Sequence, residues 1–410
     1  MTGLSTREAR IVTHLRTRQR DMVQAVTSWS SINSGSRNLA GLAVMRNLIV
    51  ERLMPLEGSI AVHQPDPVTS FDATGAELPL AHGSNIHVCK RPGAPRRVLL
   101  TGHMDTVFAA DHAFQTPRMV DDATLVGPGV ADMKGGILVL LEALMALEEA
   151  GAISDIGWDI VINADEEVSS AGSRSLLKNV ARTAQVGLTF EPSLTPEGLL
   201  AGARKGSGNF IARITGRAAH AGRDPLSGRN AVVAASDLAI RLQTLASPTL
   251  SVNVARLQGG GENNVVPDLA LLWWNMRPLD IAAQHQAEQA MTGIRAAIAA
   301  EHEVGVEMTG GFARPPKPMD PRTEALFAFV RDTGHDLGLA LGWQDTGGVC
   351  DGNNIAAEGV AVIDTMGVRG GAIHTDREFL ILDSLSERAS LTALTLMRLA
   401  EGQLDERIGW

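Results

Sequence analysis

The sequence has no tyrosine, which has no evident physical reason, and only two cysteines, Cys89 and Cys350. Two thiols cannot build a disulfide framework, and their scarcity fits a reducing compartment. Long apolar runs are missing too. The longest, Ile137–Ala146, is too short to cross a bilayer and contains Glu142. The N-terminal stretch has no apolar segment after its positive charges, so a secretory signal is not expected and the cytoplasm is the expected location. Positive charge is in deficit: Lys+Arg 36 against Asp+Glu 46 gives a net charge of −10. Such a chain repels phosphate, which argues against nucleic acid and anionic membranes as partners. Internal repeats and low-complexity tracts are absent.

What is present suits a folded protein. The 410 residues amount to roughly two to three domains. A composition of 44% hydrophobic and 20% charged residues excludes a disordered chain. Spacing predicts an amphipathic helix over Thr6–Trp29 and a second over Asn38–Leu53. A loop rich in Pro and Asp follows. Arg97–Gly102, Asp159–Ala164 and Val186–Phe190 are apolar runs of strand type, and Ile137–Ala150 between them reads as a helix stopped by Gly151. Strands alternating with helices predict an α/β sheet covered on both faces.

From about Gly206 the rhythm changes. Phe210–Thr215, Ser251–Leu257, Leu269–Met276 and Val304–Met308 read as strands, with helices at Ala231–Thr244 and Ala282–Ala300. This order is that of a small α+β, ferredoxin-like unit. The breaker-rich run Gly310–Pro318 is expected to end it. A last α/β segment runs to Trp410. The expected organisation is one domain inserted in another: 1–205 and 313–410 form the outer domain, the catalytic one under the resemblance described below, and 206–312 the insert.

Candidate ligands sit where the apolar strands end, which is where open α/β sheets place their sites. His103 and Asp105, two apart on an extended chain, face one way. His103 can bind a metal while Asp105 accepts its other ring N–H; the plain alternative is a surface histidine beside a turn. Asp132 lies between a Gly-rich loop and a helix, where an ordinary N-cap would also stand. Asp165-Glu166-Glu167 repel one another unless solvated or bound to a cation. Glu191 ends the third strand, and His374 follows the loop Gly367–Gly371. Together His103, Asp132, Glu167, Glu191 and His374 offer two imidazoles and three carboxylates, the ligand chemistry of a co-catalytic zinc pair. Spacing alone assigns neither a bridging ligand nor a base.

The runs Gly102–Val107, Gly127–Gly136, Asp165-Glu166-Glu167, Phe190-Glu191-Pro192, Gly216–Gly222, Thr346-Gly347-Gly348 and His374-Thr375-Asp376 closely resemble the di-zinc aminoacylase/glutamate carboxypeptidase family of metallopeptidases. The likeness is greatest to its carboxypeptidase G branch, with acetylornithine deacetylases and succinyl-diaminopimelate desuccinylases further off. The resemblance implies a zinc-peptidase-like catalytic domain, a mixed sheet flanked by helices, with 206–312 as a lid that makes a homodimer contact. It implies two zinc ions, cobalt or manganese being alternatives. Asp132 would bridge them, with His103 and Glu191 completing one site and Glu167 and His374 the other. Glu166 would be the general base and Asp105 would orient His103. The Asp132–Met133 peptide would be cis. His220 would reach the partner's active site to stabilise the oxyanion.

The implied substrate presents a carboxylate. Arg277 is the first candidate for its clamp, because guanidinium pairs bidentately with carboxylate. Asn264 would assist from the partner lid, and Gly348 belongs to the same substrate surface. Lys205 and Arg314, at the lid hinges, are weaker candidates that ordinary exposed charge explains as well. Cys350 replaces the small or hydroxyl residue of the family pattern and reads as packing, not as a nucleophile. The implied activity is hydrolysis of an amide that releases a C-terminal amino acid, glutamate being the first candidate. The alternative is an N-acyl amino-acid deacylase.

Overall fold

The computed structural model describes residues 3–408. Its centre is a six-stranded mixed sheet in the order Ser59–His63, Asn85–Lys90, Ile156–Asn163, Arg96–His103, Val186–Thr189, Ala361–Ile363. The first three pair antiparallel and the rest parallel. Ile156–Asn163 is buried along its whole length. A strand with helices on both faces needs no polar side, which explains the unbroken apolar runs in the sequence. The helix Gly136–Glu149 is buried almost all round, against Ser384–Ala400 among others. Among the described residues, no helix is long and apolar enough to cross a membrane.

A second, four-stranded antiparallel sheet occupies 207–314, in the order Leu250–Gly259, Leu269–Pro278, Ser207–Thr215, Gly305–Arg314. Helices Ala231–Gln243 and Ile281–His302 cover one face, around a core of its own that includes Ala212, Leu238, Leu272 and Ile298. The α+β rhythm of the sequence is realised here.

Three expectations fail locally. The first helix is two, Thr6–Thr17 and Gln19–Ser30, broken at Arg18. Arg18 stays there to pair with buried Glu142 at 3.1 Å, and periodicity does not register a one-residue break. The stretch after the helix Leu39–Leu53 is not a loop. It holds strands Ser59–His63 and Asn85–Lys90 and, between them, the hairpin Val68–Phe71/Glu77–Leu80. Backbone pairing outweighs the low strand propensity of Pro and Asp there. The last strand does not stop at Met308: it runs from Gly305 through Gly310 and Gly311 to Arg314, and the breaker-rich run ends the sheet there. Gly310 has φ +98°, and a Cβ there would lie 2.1 Å from the Asn209 carbonyl, so glycine is what lets the strand continue. Trp410, the end given to the last segment, lies outside the described residues.

Candidate active site

Because the Arg96–His103, Ile156–Asn163 and Val186–Thr189 strands run parallel, their C-terminal ends finish side by side. His103 is the last residue of the first. Asp165-Glu166-Glu167 follow the second, and Glu191 follows the third. The topology thus gathers residues that are distant in sequence.

His103 is 1% exposed, which excludes the surface-histidine alternative. Its Nε2 lies 3.0 Å from Asp132 Oδ1 and 3.6 Å from Glu191 Oε2. Asp132 does not cap a helix with its side chain. It turns its other oxygen to His374 Nε2, 3.2 Å away, and His374 Nε2 is 3.1 Å from Glu167 Oε2. Donor atoms of His103, Asp132 and Glu191 lie within 4.8 Å of one another, and so do those of Asp132, Glu167 and His374. The two groups share Asp132. The Asp132–Met133 peptide is cis.

The expected contact of Asp105 is corrected in detail. His103 Nδ1 lies 2.9 Å from the Asp105 main-chain oxygen and 3.4 Å from its carboxylate. The carbonyl is therefore the nearer acceptor, and it fixes the tautomer that leaves Nε2 free to bind a cation. The Asp105 carboxylate instead accepts from the Glu166 and Glu167 amides at 3.1 and 3.2 Å and from Ser36 Oγ at 2.7 Å. It anchors the turn that presents both glutamates.

The electrostatics fit a cation. Burial pushes the Glu166 carboxyl well above its usual range, Arg314 opposing, and pushes Glu167 up to about 7 with help from Asp132. Burial raises Glu191 also. Hydrogen bonds to Asp132 and Glu167 push His374 up to about 11. Every one of these shifts draws a proton into the cluster, as a buried set of carboxylates does when no metal charge offsets it. Glu167 Oε1 and Glu191 Oε1 are buried without a hydrogen-bond partner, each a lone-pair site for a cation. Two imidazoles and three carboxylates are ligands for a divalent metal, and these residues fit one at each group.

The cleft has a volume of about 490 Å³ and is lined also by Glu166, Arg277, Arg314, Gly348 and Cys350. Arg277 donates to the Gly347 carbonyl at 2.9 Å and to Asn275 Oδ1 at 3.2 Å. Arg314 is not the exposed charge that would explain it equally well: it is 6% exposed, 2.7 Å from Glu166 Oε1, and donates to the Glu166 carbonyl. It braces Glu166. Lys205 does not line the cleft and lies 3.5 Å from Ser251 Oγ. Its neighbour Arg204 does line it, paired with buried Asp364 at 2.7 Å. Cys350 caps the helix Asp351–Ala356, and its buried thiol is pushed well above the usual range. That state suits packing and capping, not nucleophilic attack. His220 and Asn264 are exposed on adjoining loops of the second sheet and do not line the cleft of their own chain.

Sequence reasoning missed Glu378, Arg204, Asn209 and Asn275. Glu378 is 1% exposed and accepts from the amides of Gly129, Ala131 and Asp132 at 3.1, 2.9 and 3.0 Å, which fixes the loop that aims Asp132. No local pattern marks it. Only its position two residues after the quoted Asp376 could have drawn attention.

Residues 99–398 match the peptidase family M20/M25/M40. The chain belongs to this family. Carboxypeptidase G2 of Pseudomonas sp. (strain RS-16) is 29% identical over 395 residues, which are 93% of this chain and 90% of that protein. Acetylornithine deacetylase of Salmonella typhimurium is 30% identical over 199 residues, 44% of this chain and 50% of that one. A tripeptidase structure from Staphylococcus aureus superposes with a TM-score of 0.72 at 23% identity, covering 93% of this chain and 99% of its own. The chain is thus an M20-family hydrolase of peptide or amide bonds, and the family is metal-dependent.

Proposed function

We propose that this M20-family chain hydrolyses the amide bond of an N-acyl or peptidyl substrate and releases a C-terminal amino acid, with glutamate the first candidate. The observation that carries the reading is the pair of donor groups sharing Asp132, set at the sheet's C-terminal edge beside buried Glu166. Carboxypeptidase G2, similar over nearly the whole chain, is by its name a carboxypeptidase. His103 and Glu191 would hold one zinc ion, Glu167 and His374 a second, and Asp132 both. Bound there, the pair would make hydroxide available near neutral pH and polarise the scissile carbonyl.

The protein's own groups do the rest. Glu166, buried and set beside the donors, takes the proton of the attacking water and delivers it to the leaving amine. Arg314 holds its carboxylate in place. Arg277 clamps the substrate carboxylate. His220 and Asn264, which do not line their own cleft, act in the cleft of a partner copy in a homodimer built through residues 206–312, with 1–205 and 313–410 as the catalytic domain.

Two outcomes follow. Chelation should abolish hydrolysis, and zinc should restore it; activity undiminished in metal-free protein would remove the metal centre from the reaction. Arg277→Ala should raise KM about 10- to 100-fold for carboxylate-bearing substrates, the loss of one charge-assisted pair, with a smaller change in kcat. A KM that stays put would take Arg277 out of the substrate site. A screen of N-acyl-glutamate, an N-acetylated basic amino acid and a dipeptide separates carboxypeptidase from deacylase specificity.

A further inference from the structure

The helix Ser384–Ala400 carries a guanidinium that the reaction above does not use. Arg388 is 0% exposed. Its Nη2 donates to the Gly198 carbonyl at 2.9 Å. Glycine permits that approach: Gly198 has φ +104°, and a Cβ there would collide with Nη2. Nε and Nη1 of Arg388 are buried with no acceptor among the described residues. Thr392 lies one turn further along the same face of the helix. Ser390 and Thr395 return their hydroxyls to the carbonyl four residues back, at 2.7 and 2.8 Å. The Thr392 hydroxyl does not, and it too is buried without a partner among the described residues.

The charges around Arg388 do not balance. Glu387 is the carboxylate that bears on it, and Arg369 is a second cation beside it. Arg369 meets both Glu387 oxygens, through Nε at 3.0 Å and Nη2 at 3.2 Å. Arg388 Nε stands 3.5 Å from one of those oxygens and makes no hydrogen bond with it. Two guanidiniums thus share one carboxylate, which leaves one positive charge over. Burial pushes Arg388 down to about 10, Glu387 opposing and Arg369 adding to the fall, so the group is still a cation at neutral pH. A buried charge without a counter-charge is strongly disfavoured. Water would satisfy the unpaired N–H and O–H groups but leave the charge; an anion answers to both.

We propose that Arg388, with Thr392, binds a buried chloride ion. The ligand class follows from the surroundings. The excess is a single positive charge, which a monovalent anion neutralises. Full enclosure favours a bare spherical ion, because a carboxylate or phosphate would bring further oxygens that each need a donor. None of these residues lines the catalytic cleft, but the site bears on its wall. The turn 194–199, closed by the Leu194 amide on the Leu199 carbonyl at 2.8 Å, begins in the cleft lining at Leu194. Arg388 and Arg369 grip its Gly198 and Pro196 carbonyls, at 2.9 and 3.1 Å. The ion neutralises the pair of side chains that hold this turn.

Bromide replaces chloride and is visible by anomalous scattering, which gives the test. Crystals of the zinc-loaded protein grown in sodium bromide should show an anomalous peak within hydrogen-bond reach of Arg388 Nε or Nη1, and crystals of Arg388→Met none there. In solution, chloride is exchanged for gluconate at constant ionic strength. Chloride at about tenfold above its Kd should raise the Tm by about 1–2 °C. Arg388→Met should abolish that response and Thr392→Val should reduce it. The response is the readout and not the Tm itself, because removing a buried charge can stabilise a protein on its own. A position near Arg388 that holds water and gives no anomalous peak overturns the proposal. So does a chloride response that Arg388→Met retains, which would belong to another site such as the zinc ions. If Arg388→Met does not fold, the bromide peak in the parent protein decides alone.

Discussion

Replacing Glu166 with Gln should lower kcat by about 10²–10⁴-fold, the usual contribution of a positioned general base, and leave the metal content unchanged. The reasoning is local. Glu166 belongs to neither donor group, so its carboxylate is not required to hold an ion. The amide keeps the size of the carboxyl and still offers Arg314 an acceptor where Oε1 now stands. The turn is held by amide bonds from Glu166 and Glu167 to Asp105, which the substitution does not touch. What is lost is the ability to accept a proton. Metal analysis and steady-state kinetics on one preparation decide the matter. Near-normal turnover would refute the base assignment, and loss of metal would show that Glu166 acts as a ligand.

The parts of this site that were legible in the sequence share a physical reason. A residue at the end of a parallel strand must point into the switch region of the sheet. His103, Glu167 and Glu191 could therefore be placed once the apolar runs were recognised as strands. Asp132 and His374 lie on loops and were reachable as ligands by their chemistry, while their roles depended on resemblance to known metallopeptidases. The supporting residues were not legible. Glu378 acts through three main-chain amides that come together only when the loop 127–135 folds against it. Arg204 and Arg314 are long cations whose burial depends on a carboxylate brought in from elsewhere, Asp364 for one and Glu166 for the other. Charge in a sequence reads as surface until its partner is known. The hairpin at 68–80 was hidden for a different reason. Proline and aspartate lower strand propensity, but an antiparallel pair resting on a neighbouring sheet forms regardless.

Asp132→Ala should be the most damaging single change at the metal centre. Under the proposed assignment it is the ligand common to both groups, so its loss should empty both positions, whereas Glu191→Ala and His374→Ala each weaken one. Activity should fall to the level of the chelated enzyme. The fold should survive, because Glu378 grips the Asp132 main chain and not its side chain. A bound ion stabilises the native state by mass action, about 2.7 kcal/mol when free metal is 100 times its Kd. Added zinc should therefore raise the Tm of the parent protein and of the two single-group variants, and leave that of Asp132→Ala unmoved. Elemental analysis gives the count directly: two ions per chain for the parent, one for each of the two other variants, none for Asp132→Ala. Two ions retained in Asp132→Ala would show that the groups are held independently, and the bridging role of this carboxylate would have to be given up.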